Sequence, residues 1–294
     1  MNFLKNFSHK IFRTKFGLKK DGLFYNRISI FHQDSAMKNV ENIETQSSEI
    51  VSSEYDDYNE KEKLYENHIP ISWLQWTLLT TGSGLLALNN PYRHDCVATF
   101  GETTGYYALK NIFNEMSCHP EGQIVLKDRP RINSKTIDLE KLAQLAPNTF
   151  GYNYYHFLKR NKITPDSRKE VRFIDDADLA YVCQRYREIH DLVHCTLMMP
   201  TNMLGEVIVK WVEAIQTNLP MCWLGGLFGP IKLNDWAREA YLKEGLPFAL
   251  NCGYQAKKFM NIYFEKRFEQ DFTDLQRELN IPKPPIVDSR KSHI

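Results

Sequence analysis

The spacing of apolar residues in the second half of the chain predicts a mainly α-helical protein. One helix is indicated by apolar residues that follow one another at intervals of three or four: Leu179, Val182, Tyr186, Ile189, Val193 and Leu197. This period places them on one face of an amphipathic helix with that face packed. Asp175, Asp176 and Asp178 fall in the expected first turn, where the helix dipole favours negative charge.

Three further helices are predicted downstream. One covers 203–216 after the break at Pro200, and one covers 234–243 with Asn234 or Asp235 as its cap. A long helix is expected over 254–279, ending before Pro282. Strand patterns are scarce, and the best is the short stretch 123–126. The fold class is therefore mainly α, with a single helical domain.

Residues 69–92 contain no charged side chain, and these 24 positions are long enough to span a membrane. Polar and helix-breaking residues such as Pro70, Gln75 and Gly82 interrupt the run. A lipid-facing helix would bury most of its polar groups without partners. We therefore expect a buried or membrane-resting helix here, with a transmembrane span as the alternative.

The first 66 residues differ in composition from the rest. Residues 1–20 carry six basic residues and no acidic one, which is typical of a mitochondrial presequence, and we assign 1–33 to that region. Residues 34–66 contain ten acidic residues against three lysines, a composition that indicates a disordered linker. The helical domain is expected over 67–286, with a C-terminal tail over 287–294.

Net charge and cysteine usage exclude some classes of protein. The 37 basic and 36 acidic residues leave a net charge of +1, so there is no global positive field to attract nucleic acid. The six cysteines include no C-x-x-C pair and no short-range disulfide framework. They are expected to be reduced thiols.

Four residues form a candidate metal site. His190 and His194 lie one helical turn apart, so both imidazoles can reach one cation. Asp191 lies about 100° round the helix axis from His190, as a direct ligand or as a group that orients an imidazole. Glu206 enters from the next predicted helix. This ligand set accepts Zn²⁺, and it also accepts iron(II).

Two other interpretations of these residues stay open. The histidine pair can arise by chance on a helix, and Glu206 can be a first-turn acid that complements the helix dipole. The His190-Asp191 doublet, with a second doublet at His94-Asp95, also resembles part of the metal site of His-Asp phosphohydrolases. Those enzymes need a third histidine and a separate aspartate on other helices, which this sequence does not clearly supply.

The metal motif H-D-x-x-H-x11-E lies among further sequence segments that match those of a known family in the same order. These are P-Y-R-H-D at 91–95, G-E-T-T-G at 101–105, R-P-R-I at 129–132, Y-R-E-I-H-D at 186–191, P-T-N at 200–202, G-E at 205–206, K-W at 210–211 and F-G-P at 228–230. Residues from about 65 to 285 closely resemble the coenzyme Q biosynthesis protein 4 family.

This resemblance implies a location, a reaction and a metal. It implies a mainly helical protein held peripherally on the matrix face of the inner mitochondrial membrane. Its implied partners are that membrane surface, a polyprenylated lipid substrate and the other enzymes of the multi-protein complex that builds ubiquinone. The implied reaction removes the C1 carboxylate from a polyprenylated 4-hydroxy-3-methoxybenzoate, and the implied zinc ligands are His190, Asp191, His194 and Glu206.

Further residues are candidates for the reaction. The metal is expected to act as Lewis acid and template, with Glu102, His94 or Asp95 as acid or base and Arg93 available for the substrate carboxylate. The apolar, glycine-rich stretch 221–230 is the expected wall of a slot for the polyprenyl tail, or else a place where helices pack closely.

The competing function is a non-catalytic, lipid-binding scaffold that organises the ubiquinone-biosynthesis enzymes. In such a scaffold the metal has only a structural role, which is to join two helices.

Overall fold

The computed structural model describes residues 63–90 and 93–285. The predicted presequence, most of the predicted linker and the predicted C-terminal tail lie outside these residues.

Helices account for nearly all of the regular structure in the described part of the chain. They are α1 Trp73–Asn89, α2 His94–Thr104, α3 Tyr106–Cys118, α4 Pro120–Asp128, α5 Leu139–Ala143, α6 Phe150–Asn161, α7 Ala177–Thr196, α8 Met203–Thr217, α9 Pro220–Phe228, α10 Asp235–Ala240, α11 Leu246–Gln255 and α12 Phe272–Glu278. The same residues contain no strand, only one isolated bridge between Thr149 and Asp271. The predicted mainly α class is confirmed.

α7 lies at the centre of the core, against α3, α6 and α8. It begins as predicted, because the Asp176 carboxylate accepts hydrogen bonds from the N–H groups of Asp178 and Leu179. Residues 179–196 are all buried, so this helix is covered on every face and not on one face only. Its polar side chains therefore need partners inside the protein: Arg187, for example, donates to Glu102 over 2.8 Å.

α8 follows α7 after a tight connection and packs on α9 and α11. The Asn202 side chain accepts from the N–H of Gly205 and caps the helix, which ends at Asn218 in the left-handed conformation. The observed range differs from the predicted 203–216 by one residue. The predicted helix over 234–243 is α10, capped by Asn234, and it continues into a π-helical turn at Tyr241–Gly245.

The predicted strand over 123–126 is wrong. These residues lie in α4, where Pro120 occupies the first turn and the imidazole of His119 accepts from the N–H of Gly122. A helix cap therefore overrides the weak strand pattern.

The predicted long helix over 254–279 is also wrong. α11 ends at Gln255, two 3₁₀ turns follow at Phe259–Asn261 and Phe264–Lys266, and only α12 is α-helical again. The cause is a tertiary contact from α8. The side-chain oxygen of Gln216 accepts from the N–H of Phe259, and its side-chain nitrogen donates to the carbonyl groups of Ala256 and Lys257. These bonds hold the chain in a turn where the aromatic spacing alone indicates a helix.

α1 carries several exposed apolar side chains. It begins at a capping box formed by Ser72 and Gln75 and packs on α2 through Gly84. Trp73, Leu78 and Leu85 are 73%, 65% and 65% exposed. The helix is therefore not the buried one that was one of the two expectations. Among the described residues, none of the helices has both the length and the apolar content needed to cross a membrane.

All six cysteines are free, as predicted, and Cys118 is the exposed one among them.

Candidate metal centre

Three of the four predicted ligands converge between α7 and α8. His190, His194 and Glu206 each offer a ligand atom, and these atoms lie within 4.8 Å of one another. The Nε2 atom of His190 is 3.4 Å from one carboxylate oxygen of Glu206, and the Nε2 atom of His194 is 3.4 Å from the other. Both histidines are buried. One site is therefore formed by His190 and His194, one turn apart on α7, and by Glu206 in the first turn of α8.

Gly205 allows this approach of α8 to the end of α7. A Cβ atom at this position would lie 1.9 Å from the carbonyl oxygen of Pro200, far inside van der Waals contact. Only glycine lets the first turn of α8 fold back against this connection, and that turn carries Glu206.

Hydrogen bonds on the far side of each ring turn Nε2 towards Glu206. His190 Nδ1 donates to the carboxylate of Glu213 over 2.6 Å, because an ionised carboxylate only accepts. His194 Nδ1 donates to the carbonyl oxygen of Met199 over 3.3 Å. With Nδ1 as the donor, each ring presents its Nε2 atom to the site, the arrangement usual in metal-ligating histidines.

The unpaired Nε2 of His194 is evidence that these residues suit a cation. This atom is buried and forms no hydrogen bond with any described residue. A buried acceptor without a partner is costly, and a divalent cation shared with His190 and Glu206 would satisfy it. Two imidazole nitrogens and one carboxylate oxygen fit zinc, and they fit iron(II) equally well.

Asp191 does not join this group. Its carboxylate pairs with the guanidinium of Arg168, which comes from the loop before α7. The position of Asp191 on the next residue of the helix turns it away from the point that His190 and His194 share. Neither expected role is seen for Asp191: it is not among the three converging ligands, and the Nδ1 atoms of the two imidazoles are held by Glu213 and Met199 instead.

Charges in the site depend on one another. Burial alone would raise the pKa of Glu206, but the neighbouring imidazoles of His194 and His190 hold this pKa well below its ordinary value. Burial would likewise raise the pKa of Glu213, and His190 and Lys210 lower it far more. Both carboxylates are therefore ionised at neutral pH.

Glu213 joins the metal centre to a buried polar network that the sequence analysis missed. Its second carboxylate oxygen accepts from Lys210 Nζ over 2.7 Å and from the Tyr186 hydroxyl over 2.7 Å. A signal for this network exists in the sequence. Glu206, Lys210 and Glu213 follow one another at intervals of four and three, which places them on the same face of α8.

A cavity of about 480 Å³ opens beside the metal centre. His190, Glu206 and Lys210 form part of its wall, and most of the rest is apolar. The apolar wall includes Leu88 from α1, Phe100 from α2, and Met221, Leu224 and Phe228 from α9. The stretch 221–230 thus supplies part of a cavity wall. Its glycines also let it pack closely on α8, since a Cβ atom at Gly229 would lie 2.5 Å from Val207, so both alternatives expected from its composition are seen.

The four candidate catalytic residues lie in different places. His94 lines the cavity. Arg93 and Asp95 form an ion pair with each other and lie outside the cavity wall. Glu102 is buried, and its carboxylate accepts hydrogen bonds from the guanidinium of Arg187 and from two backbone N–H groups of the loop before α7.

The same loop places Arg168 and Lys169 in the cavity wall. Sequence reasoning did not single out either residue, because nothing in the local pattern relates this loop to the metal motif.

Comparison with known proteins agrees with the resemblance. The family model described as coenzyme Q (ubiquinone) biosynthesis protein Coq4 matches residues 65–285. The mitochondrial ubiquinone biosynthesis protein COQ4 homolog of Rattus norvegicus is 51% identical over 222 residues, which are 76% of this chain and 84% of the relative. The corresponding Homo sapiens protein is 49% identical with the same coverage of both chains.

A solved structure shares the fold. The crystal structure of a chain assigned to ubiquinone biosynthesis from Nostoc punctiforme PCC 73102 matches with a TM-score of 0.56 and 19% identity. The match covers 69% of this chain and 99% of that chain. At this identity the match shows a common fold.

Proposed function

Because the chain belongs to the family of the coenzyme Q (ubiquinone) biosynthesis protein Coq4, and so acts in ubiquinone biosynthesis, we propose a specific reaction for it. It removes the C1 carboxylate from a polyprenylated 4-hydroxy-3-methoxybenzoate with the help of a divalent metal, which we take to be zinc, with iron(II) as the alternative.

One observation carries the proposal: the three-ligand metal centre faces a largely apolar cavity of about 480 Å³. A substrate with a polar aromatic head and a long hydrocarbon tail needs both surfaces. The head requires polar groups of fixed orientation, and the tail requires an apolar wall that excludes water.

The residues of the chain then have distinct roles. A cation on His190, His194 and Glu206 would supply a Lewis acid and a template for the substrate head. His94 lines the same cavity and accepts the proton of the 4-hydroxyl group. The electrons released into the ring reach C1, which lies para to that hydroxyl. C1 takes up a proton, and carbon dioxide leaves as the bond between C1 and the carboxylate breaks and its electron pair restores the aromatic ring.

The neutral form of His94 suits this role. Its pKa lies below the ordinary value of 6.5, first because partial burial disfavours the charged ring and then because Arg168 adds positive potential. At neutral pH the ring is therefore a free base.

We also propose that the protein is peripheral on the matrix face of the inner mitochondrial membrane. The two relatives above are named mitochondrial. Leu88 on α1 and Phe228 on α9 both line the cavity and are exposed, so these two side chains form an apolar part of its rim. A polyprenyl tail can pass from the bilayer across this rim without contacting water. The other enzymes of the pathway are the proposed partners.

The number of ligands favours an enzyme over a scaffold. A structural zinc usually has four protein ligands, whereas a catalytic one has three and an open position. Among the described residues, the group of side chains that can hold a metal has three members, His190, His194 and Glu206.

The proposal is tested by turnover with a carboxyl-labelled prenylated 4-hydroxy-3-methoxybenzoate, with zinc and with iron(II), in air and without oxygen. The wild type is expected to release labelled carbon dioxide in at least one of these conditions. Glu206→Ala and His194→Ala are expected to remain folded, to lose bound metal in elemental analysis and to lose turnover. Lys243→Ala, a change at an exposed lysine outside the cavity, serves as the control.

One result would decide for the scaffold: unfolding of the wild type when its metal is removed, together with absence of turnover in all four conditions. Full turnover by a Glu206→Ala protein that contains no metal would instead contradict the role of the metal in the reaction.

A further inference from the structure

Five basic side chains line the cavity although the whole chain is almost neutral: Arg168, Lys169, Arg187, Lys210 and Lys232. Three of them pair with a buried carboxylate, Arg168 with Asp191, Arg187 with Glu102 and Lys210 with Glu213. Arg187 also donates to the carbonyl oxygens of Ala98 and Lys169, which occupies its guanidinium. An anion that enters this largely apolar space therefore meets fixed cations.

Lys210 is the basic residue nearest to the metal ligands along α8, one turn after Glu206. Its Nζ atom lies 2.7 Å from Glu213 and donates to the Tyr186 hydroxyl over 3.0 Å. The 2.7 Å contact with the buried carboxylate of Glu213 holds this side chain as an ammonium group in a fixed position.

One N–H group of this ammonium remains for a ligand. An ammonium group has three donors, and Glu213 and Tyr186 take two of them. His190 Nδ1 lies 3.5 Å from Nζ, but it already donates its proton to Glu213 and cannot accept. Lys210 is one of the residues that line the cavity, and among the described residues only Glu213 and Tyr186 accept from its ammonium group.

We propose that Lys210 is the residue that selects a carboxylate-bearing head group in this cavity, a role the sequence analysis gave to Arg93. This inference rests on the proposed function, and it adds the group that distinguishes substrate from product. Loss of carbon dioxide removes the anion that Lys210 holds, so the neutral phenol product binds more weakly and leaves.

The test compares two ligands of the same shape, 3-geranyl-4-hydroxybenzoate and 3-geranyl-4-hydroxybenzamide, by calorimetric titration of the zinc-loaded protein. The wild type is expected to bind the carboxylate more tightly. In Lys210→Met the ratio of the two dissociation constants falls about tenfold or more, as expected for loss of a hydrogen bond between charged groups. A contribution of the metal to carboxylate binding is common to both proteins and cancels in this comparison.

Two controls separate binding from folding. Lys210→Met leaves Glu213 buried with one cation fewer, so the double variant Lys210→Met with Glu213→Gln restores the charge balance and is expected to show the same fall in the ratio. Lys243→Met, at an exposed lysine outside the cavity, is expected to keep the wild-type ratio.

The outcomes distinguish this inference from the proposed function. An unchanged ratio in the folded double variant, or a fall that appears with Arg168→Gln and not with Lys210→Met, overturns the role of Lys210 while turnover stands. A wild type that discriminates through Lys210 but releases no carbon dioxide supports the role of Lys210 and contradicts the decarboxylase.

Discussion

Glu213 fixes the orientation of His190 through the 2.6 Å hydrogen bond to Nδ1. Removing this bond frees the ring to rotate and to change tautomer. Glu213→Ala is therefore expected to weaken zinc binding about 10- to 100-fold, and Glu213→Gln, which keeps an acceptor for Nδ1, to weaken it less. Competition with a chromophoric chelator measures both affinities.

An exposed glutamate provides the comparison for Glu213. Glu239→Ala removes a carboxylate paired with Lys243 at the surface and is expected to leave zinc affinity unchanged. Equal zinc affinity in Glu213→Ala and the wild type would show that Glu213 does not position His190.

His94 gives a prediction for the pH dependence of turnover. Its neutral form is the active base, and its pKa lies below 6.5. Turnover is therefore expected not to vary with the protonation of His94 around neutral pH, and to fall as the pH drops through the lowered pKa and the ring gains a proton. His94→Gln should reduce turnover by about 10²- to 10⁴-fold and abolish this acidic limb.

The control for His94 is His156→Gln, because His156 lies on α6 and is absent from the cavity wall. A pH profile in His94→Gln with the same acidic limb as the wild type would assign that limb to another group.

At the residue level, the sequence predicts what the helical period fixes. His190 and His194 share a face because they are four residues apart, and Glu206 follows at the start of the next helix. Arg168 could not be predicted to hold Asp191, because its position depends on how the loop before α7 packs against the helix. No local pattern encodes such a contact between residues 23 positions apart in sequence.

At the level of elements, the connection between α7 and α8 sets the distance between the ligands. Gly205→Ala places a methyl group against the carbonyl oxygen of Pro200 and should push the first turn of α8 outwards. We expect a loss of about 1–3 kcal/mol in the free energy of unfolding, from overpacking, together with weaker zinc binding. Denaturant titration and chelator competition measure the two effects.

A second glycine offers a matched control. A Cβ atom at Gly82 on α1 meets nothing within 4 Å, so Gly82→Ala is expected to stabilise the protein by about 0.5–1 kcal/mol and to leave zinc binding unchanged. If Gly205→Ala binds zinc as tightly as Gly82→Ala, the close approach at Gly205 is not required for the metal centre.

The elements also show where sequence patterns stop being sufficient. α8 is predicted to within one residue because its cap, its apolar face and its left-handed end are all local. The segment after α11 fails because Gln216, on another helix, binds its backbone and turns it. Phe259, Phe264 and Phe268 are buried although they do not belong to one helix, so their spacing resembles that of a packed helix face. Tertiary contacts determine the secondary structure of such segments, and a local pattern does not encode them.

At the scale of the whole molecule, the average charge conceals the local one. The chain has a net charge of +1, yet five basic side chains line one cavity, three of them paired with buried carboxylates. These cations come from the loop before α7, from α7, from α8 and from the turn after α9, so only the folded chain brings them together. The sequence correctly excludes a global positive field, but it cannot show that these basic side chains gather around one cavity.

The exposed face of α1 leads to a prediction for membrane attachment. Leu78 and Leu85 are each 65% exposed, and α1 also lines the cavity. A leucine buried in lipid contributes about 1.5–3 kcal/mol, and an aspartate there would be unfavourable. The double variant Leu78→Asp, Leu85→Asp is expected to keep its circular dichroism and metal content but to lose cosedimentation with phosphatidylcholine and cardiolipin vesicles.

The same variant separates membrane contact from chemistry. It should act normally on a soluble geranyl substrate and poorly on a long-tailed substrate embedded in vesicles, because only the second must cross the rim between α1 and α9. Leu242→Asp, at another exposed leucine on the π-helical turn, is the control and should behave as the wild type. Undiminished vesicle binding by the α1 variant would mean that another surface of the protein contacts the bilayer.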